Sequence, residues 1–317
     1  MNNYRAVVEY WPIAGDGFAT AREIKKDAIV AHLRLTRNGV SAEGESFALK
    51  RFRHTPDQVI EQIQNWLAAH QDWSRDVMEQ TMEAGPARNA IDCALWRLEA
   101  AEHNMSFAAM AGFEDPKPLH TAFTLGVAAP EAMARQALSK TSFRWIKMKL
   151  MGDGQDEARL RAVHAAIPQK ELIVDANESL DIEMLHDLMP VFKFSNVVLI
   201  EQPLHADADE ALLHFQSPIP LAADESCHTI ESLKSLVGKY RVVNLKLDKT
   251  GGLTHALKMK QAAREMGFGV MVGCMASTSL AIYPAWLLAH DAEFADLDGA
   301  LLLDNDRQNC DKPELIF

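Results

Sequence analysis

Short apolar runs recur down the second two-thirds of the chain, and each ends on a polar or charged residue. Leu172-Ile-Val-Asp175, Val197-Val-Leu-Ile-Glu201, Pro220-Leu-Ala-Ala-Asp224 and Val242-Val-Asn-Leu-Lys246 are of this kind. Gly269-Val-Met-Val-Gly273 and Phe294-Ala-Asp296 extend the series forward, and Leu119–Gly126 and Arg144–Leu150 extend it back. Lys149, Asp175, Glu201, Asp224, Lys246, Gly273 and Asp296 fall 22–27 residues apart. That interval holds one strand, one helix and two short loops, and helical periodicity fills it at 156–166, 183–189, 229–236 and 254–266. Eight such units predict an α/β fold, a TIM-type (β/α) barrel whose polar strand ends share one rim.

The N-terminal third has a different pattern. Residues 4–10 and 27–37 read as strands, Asn38-Gly39 is a hairpin turn signal, and Val40–Ser46 is the returning strand. Thr55-Pro56 opens one helix as N-cap and first-turn proline. Pro86 to Ala101 gives a second helix, with Ala90, Ile91, Ala94, Leu95 and Leu98 on one face. Arg88 and Asp92 stand four apart on it, which predicts a side-chain pair. The Gly-containing stretch 11–26 reads as a mobile surface loop. The expected division is an α+β capping domain over 1–116, the barrel over 117–299, and a tail, 300–317, that packs back on the capping domain.

Composition narrows the function. With 32 basic and 44 acidic residues the formal net charge is −12, so no basic footprint for nucleic acid exists. No apolar run is long enough to span a bilayer, and no signal-peptide core opens the chain. Cys93, Cys227, Cys274 and Cys310 form no C-x-x-C pair and read as reduced, which predicts a cytoplasmic protein. Packing is the expected role of Cys227 and Cys274.

The chemistry lies at the strand ends. Lys147 and Lys149 share one face of the second strand while Met148 points away. Buried ammonium groups need carboxylates or a metal site beside them. Asp175, Glu201 and Asp224 come from three successive strands, and three hard oxygen donors suit Mg2+ with open positions for a substrate oxygen. Strands two and six of an eight-stranded barrel are opposed, so Lys149 and Lys246 would flank a substrate from two faces. One lysine can remove an α-proton while the other returns it, with the base's pKa lowered by the metal cation and the other lysine. Asp296 and Asp298 lie two apart on the eighth strand and either hold a substrate ammonium or bond nearby loops. Thr124 on the first strand is a further substrate-binding candidate.

Lys147-Met-Lys149, Val174–Ser179, Glu201-Gln-Pro203, Ala223–Ser226 and Asn244–Gly252 together resemble the enolase superfamily, muconate-lactonizing-enzyme subgroup. Ala87–Trp96, Ala223–Thr229 and Phe294–Gly299 resemble its dipeptide epimerases of the L-Ala-D/L-Glu type. The resemblance implies magnesium on Asp175, Glu201 and Asp224. It implies Lys149 and Lys246 as the acid/base pair with Lys147 in support, and Asp296 and Asp298 on the dipeptide's α-ammonium. A small dipeptide is the implied partner, in an enzyme that can be a homo-oligomer. Where glutamate-specific members place an arginine in the first capping loop, this chain has Lys25, with Arg22 and Lys26 nearby. The basic stretch Phe47–His54 is the second capping loop. Within the same subgroup, o-succinylbenzoate synthase, muconate cycloisomerase and N-acyl amino acid racemase are the alternatives.

Overall fold

The computed structural model describes residues 2–15, 17–19 and 24–317. Eight parallel strands form one sheet in sequential order: Ala122–Leu125, Trp145–Lys149, Glu171–Asp175, Val197–Glu201, Leu221–Ala223, Val242–Leu245, Gly269–Gly273 and Phe294–Asp296. The first and eighth strands face each other across the seam. There Thr121 Oγ1 accepts from Leu297 N at 2.8 Å, and Asp298 Oδ2 accepts from Thr124 N at 2.6 Å. The result is the nearly closed TIM-type barrel that the spacing predicts.

Strand alternation organises the interior. Ala122, Trp145, Ile173, Leu199, Ala222, Val242 and Met271 pack together as an apolar plug inside the barrel. Two residues further along each strand the same face carries Thr124, Lys147, Asp175, Glu201, Asp224, Asn244 and Gly273, with Asp296 two beyond Phe294. A period of two therefore lifts each chain from a dry floor to a polar ring. The outer faces of the strands pack on the helices, in a core that includes Ile146, Met148, Leu172, Val174, Val243 and Val270.

At the N-terminus, Asn3–Pro12, Asp27–Arg37 and Val40–Phe47 form an antiparallel sheet in that order. Asn38 and Gly39 both take left-handed φ, 53° and 86°, as a two-residue hairpin turn requires. Helices Pro56–Ala69, Arg75–Thr81 and Pro86–Glu102 pack on the sheet. Thr55 and Gln58 form a reciprocal capping box on the first. A Cβ on Gly44 would lie 2.0 Å from the Ala90 carbonyl oxygen, so the third helix rests directly on the sheet there.

The opposite side of helix Pro86–Glu102 meets the barrel, and this overturns the expected Arg88–Asp92 pair. Arg88 donates to the carbonyls of Thr250 and Gly251, at 2.7 and 3.1 Å. Asp92 accepts from Thr254 N at 2.9 Å and Thr254 Oγ1 at 2.6 Å. Both side chains are buried, and each is committed to the barrel rather than to the other. Asp92 thereby caps helix Leu253–Glu265, whose own N-cap is Gly252 and offers no side chain. Asp92→Ala is expected to cost about 2–3 kcal/mol, because it leaves the helix-end N–H of Thr254 without its partner and the Thr254 hydroxyl with Trp96 Nε1 alone. A shift below about 0.5 kcal/mol in denaturant unfolding would exclude the capping role.

Three local expectations also change. The segment 229–236 is a 3-10 turn, Ile230–Ser232, followed by a single helical turn, Leu233–Leu236. The stretch at Leu119 splits, since Leu119–His120 pairs with Leu315–Ile316 of the tail instead of entering the barrel. The described part of 11–26 contains a hairpin, Phe18–Ala19 against Ile24–Lys25, tied to the barrel by a bond from Val127 N to the Ala19 carbonyl at 2.9 Å. Arg22 lies outside the described residues. The tail returns across the N-terminal sheet through an Ile13–Leu303 bridge. Its Arg307 donates to Glu9 and, at 2.9 Å, to the fully buried Glu45. Among the described residues no helix is long and apolar enough to cross a membrane.

Candidate active site

The polar ring opens into a cavity of about 400 Å3 between the barrel rim and the N-terminal sheet. Lys147, Lys149, Asp224, Lys246, Asp296 and Asp298 line it from below, and Phe18, Lys25, Phe47 and Phe52 from above. Register pairs Asp175 with Glu201, and Asp224 stands two residues beyond Ala222, the partner of Glu201.

Lysines and carboxylates interleave. Lys147, 1% exposed, sits 2.6 Å from Glu201, 3.0 Å from Asp175 and 2.7 Å from Asp296. Lys149 donates to Asp175 at 2.6 Å and to Asn177 at 2.9 Å. Across the barrel, Lys246 donates to Asp224 Oδ2 at 2.6 Å and Lys249 to Asp224 Oδ1 at 2.6 Å. Burial alone would lower Lys147 and Lys246, but the facing carboxylates outweigh it and hold both above the ordinary lysine value. The cause is that the acids turn their charge onto the lysines.

The acids differ among themselves. Burial works to raise Asp175, yet Lys147 and Lys149 hold it below the usual range, and Lys246 and Lys249 do the same for Asp224. Glu201 goes the other way, pushed up to about 7 by burial and then by Asp175. Among the described residues no three acid, histidine or cysteine side chains are gathered into a cage around a cation as they stand. The donor chemistry nevertheless fits a hard divalent ion. Three carboxylates come from the ends of adjacent strands, and Glu201 Oε2 is buried without a well-aligned hydrogen bond although Lys147 lies 2.6 Å away.

Several positions that sequence reasoning passed over complete the arrangement. Asn244 holds Glu201 Oε1 at 2.8 Å from the ring position two beyond the floor residue Val242. Gly273 occupies the ring position of the seventh strand. A Cβ there would lie 2.7 Å from Asn244 Oδ1 and 2.9 Å from Lys246 Cε, so its bareness gives the Lys246 side chain its path. Gln202 Oε1 accepts from the backbone N of Asp224 and of Ser226, fixing where Asp224 leaves its strand. Arg51, from the second capping stretch, pairs with buried Glu178 at 2.7 Å. The period-two count from the apolar floor is the signal that finds Asn244 and Gly273.

The substrate candidates divide. Thr124 Oγ1 donates to Asp296 and its N–H to Asp298, so it braces both acids. Lys25 is half-buried, with Nζ 4.9 Å over the Phe47 ring, on the upper wall of the cavity. Cys274 lines the cavity, while Cys227 is core.

Comparisons place this arrangement among known proteins. The family model described as enolase C-terminal domain-like matches residues 130–302. The L-Ala-D/L-Glu epimerase of Escherichia coli (strain K12) is 39% identical over 302 residues, 94% of each chain. The N-acetyl-D-glutamate racemase of a Pseudoalteromonas species is 47% identical over 230 residues, 72% of each chain. An enolase family member from Agrobacterium tumefaciens with homology to dipeptide epimerases, solved with sodium and L-Ala-L-Glu, superposes with a TM-score of 0.93. It is 38% identical and covers 97% of this chain and 94% of its own. The dipeptide epimerase of Enterococcus faecalis V583, solved with Mg and L-Leu-L-Tyr, has a TM-score of 0.88 at 26% identity, over 96% of this chain and 91% of its own. The chain therefore belongs to the enolase superfamily, as an isomerase among its epimerases and racemases of amino acid derivatives.

Proposed function

We propose that the protein is a magnesium-dependent dipeptide epimerase that inverts the α-carbon of the C-terminal residue by a two-base proton transfer. L-Ala-L-Glu and L-Ala-D-Glu are the substrate pair, which suits the recycling of murein peptides. The observation that carries this reading is the placement of Lys149 and Lys246 at the ends of the second and sixth of eight sequential strands, beside three adjacent carboxylates.

Asp175, Glu201 and Asp224 would hold the magnesium, which when bound supplies positive charge to the substrate carboxylate as the α-proton leaves. Lys149 and Lys246 stand on opposite sides of the substrate, one taking the proton and the other delivering one. Lys147, enclosed by three carboxylates, keeps its proton and fixes Asp175, Glu201 and Asp296 in place. Asp296 and Asp298 face the amino-terminal part of the dipeptide. Phe18 and Lys25 of the hairpin line the cavity opposite the barrel rim. The magnesium-bound Enterococcus neighbour and the L-Ala-L-Glu-bound Agrobacterium neighbour support the metal and the substrate class. The 47% identity to the Pseudoalteromonas racemase favours a second reading, racemisation of an N-acylated glutamate by the same lysines.

Proton NMR in deuterium oxide with magnesium and a panel of L-Ala-L-Xaa dipeptides tests the reaction. Loss of the C-terminal α-proton signal with growth of a second diastereomer is expected, and no exchange with any dipeptide would reject it. Lys25→Ala is expected to raise KM for L-Ala-L-Glu about tenfold and to leave L-Ala-L-Leu unchanged, because a partly exposed point charge contributes about 1.4 kcal/mol to a carboxylate. Equal changes for both dipeptides would remove Lys25 from the side-chain subsite.

A further inference from the structure

Asp296 and Asp298 share a strand end, but their partners differ. Asp296 accepts from Lys147 Nζ at 2.7 Å and from Thr124 Oγ1 at 3.2 Å. Asp298 accepts from the backbone N–H of Thr124 at 2.6 Å, and among the described residues no cationic side chain forms an ion pair with it. It is 4% exposed and lines the cavity. The charged or titratable groups facing it are Asp296 from its own strand, Lys147 from the second strand and the Cys274 thiol beyond the seventh, which burial holds in its protonated form. A buried carboxylate in this position has two stable conditions: opposite a ligand's cation, or carrying a proton. Burial, and then Asp296, push it up to about 7, so the two are close in free energy near neutral pH.

We propose that Asp298 decides which acyl group the site accepts on the substrate nitrogen, ionised opposite an ammonium-bearing aminoacyl group and protonated opposite an uncharged one. This rests on the epimerase reading. It adds that the N-acyl complex holds one more proton, at Asp298, than the dipeptide complex does. The lysine pair and the three carboxylates serve both substrates alike, so their ionisations cancel when the two are compared on one enzyme.

The experiment measures kcat/KM of the magnesium-loaded enzyme for L-Ala-L-Glu and for N-acetyl-L-glutamate from pH 5.5 to 9. The ratio of dipeptide to N-acetyl substrate is expected to rise about tenfold per pH unit. It levels near pH 8, where the dipeptide amine loses its own proton. Asp298→Asn, which keeps the shape of the protonated acid, is expected to lower the ratio at least about 100-fold at pH 8 and to abolish its rise below that pH. A wild-type ratio that does not change with pH overturns the inference without any variant, as does an Asn variant with the wild-type ratio. Wild-type turnover of the dipeptide with none of N-acetyl-L-glutamate also overturns it while leaving the epimerase reading intact. Turnover of neither removes that reading itself.

Discussion

Lys149→Ala and Lys246→Ala are each expected to lower epimerisation about 10²–10⁴-fold, the contribution of a positioned general base or acid. The loss should be asymmetric when exchange is followed instead of inversion. Each lysine faces one side of the α-carbon, so each variant should still wash deuterium into the epimer whose α-proton faces the remaining lysine. The opposite epimer should stay unlabelled. The expectation rests on three features of the geometry. The two lysines rise from strands four places apart in a closed order of eight. Each is tied to a different carboxylate, Lys149 to Asp175 and Lys246 to Asp224, both at 2.6 Å. Lys147 cannot replace either, because it is 1% exposed and enclosed by Asp175, Glu201 and Asp296. Incubating each variant with each epimer in deuterium oxide gives four measurements. Exchange of both epimers by both variants would show that another group moves the proton.

Much of this was legible because a parallel barrel repeats one instruction. An apolar residue inside the floor, a polar one two further on and a helix to return make up each unit, and Lys147, Asp175, Glu201, Asp224 and Asp296 all occupy the polar step. Short-range signals also carried through where both partners are local, as with the Asn38-Gly39 turn and the Thr55–Gln58 capping box. What the sequence could not show are the bonds between residues far apart in the chain. Asp248 receives Phe47 N at 3.0 Å and Asn89 Nδ2 at 2.8 Å, and Arg51 meets Glu178. None of these pairs has a spacing that marks it. The Arg88–Asp92 expectation fails for the same reason. A four-residue helical spacing predicts pairing only where water is the competitor, and here barrel carbonyls and Thr254 compete instead.

The same balance of charges sets the expected response to metal. Asp175 and Asp224 each meet two lysines, whereas Glu201 shares Lys147 with two other acids and otherwise has Asn244. Glu201 is thus the carboxylate whose charge is least compensated, which is why burial drives it up where Asp175 and Asp224 go down. A divalent ion shared by the three would relieve Glu201 most. Magnesium at 100 times its Kd stabilises a protein by about 2.7 kcal/mol when it binds only the folded form. At about 2.1 cal/mol/K per residue, that is a rise of roughly 4 °C in Tm for a chain of 317 residues. Glu201→Gln keeps the volume and a polar contact for Asn244 but removes the charge. It is expected to fold, to lose at least about 100-fold in magnesium affinity by calorimetry, and to show less than about 1 °C of the magnesium-dependent rise. Sodium chloride at matched ionic strength separates site binding from screening, since a screening effect would be alike in both proteins. A Glu201→Gln protein that binds magnesium with wild-type heat and shows the wild-type rise in Tm would remove Glu201 from the metal site. The three-carboxylate assignment would fall with it, even though the lysines remain where the barrel puts them.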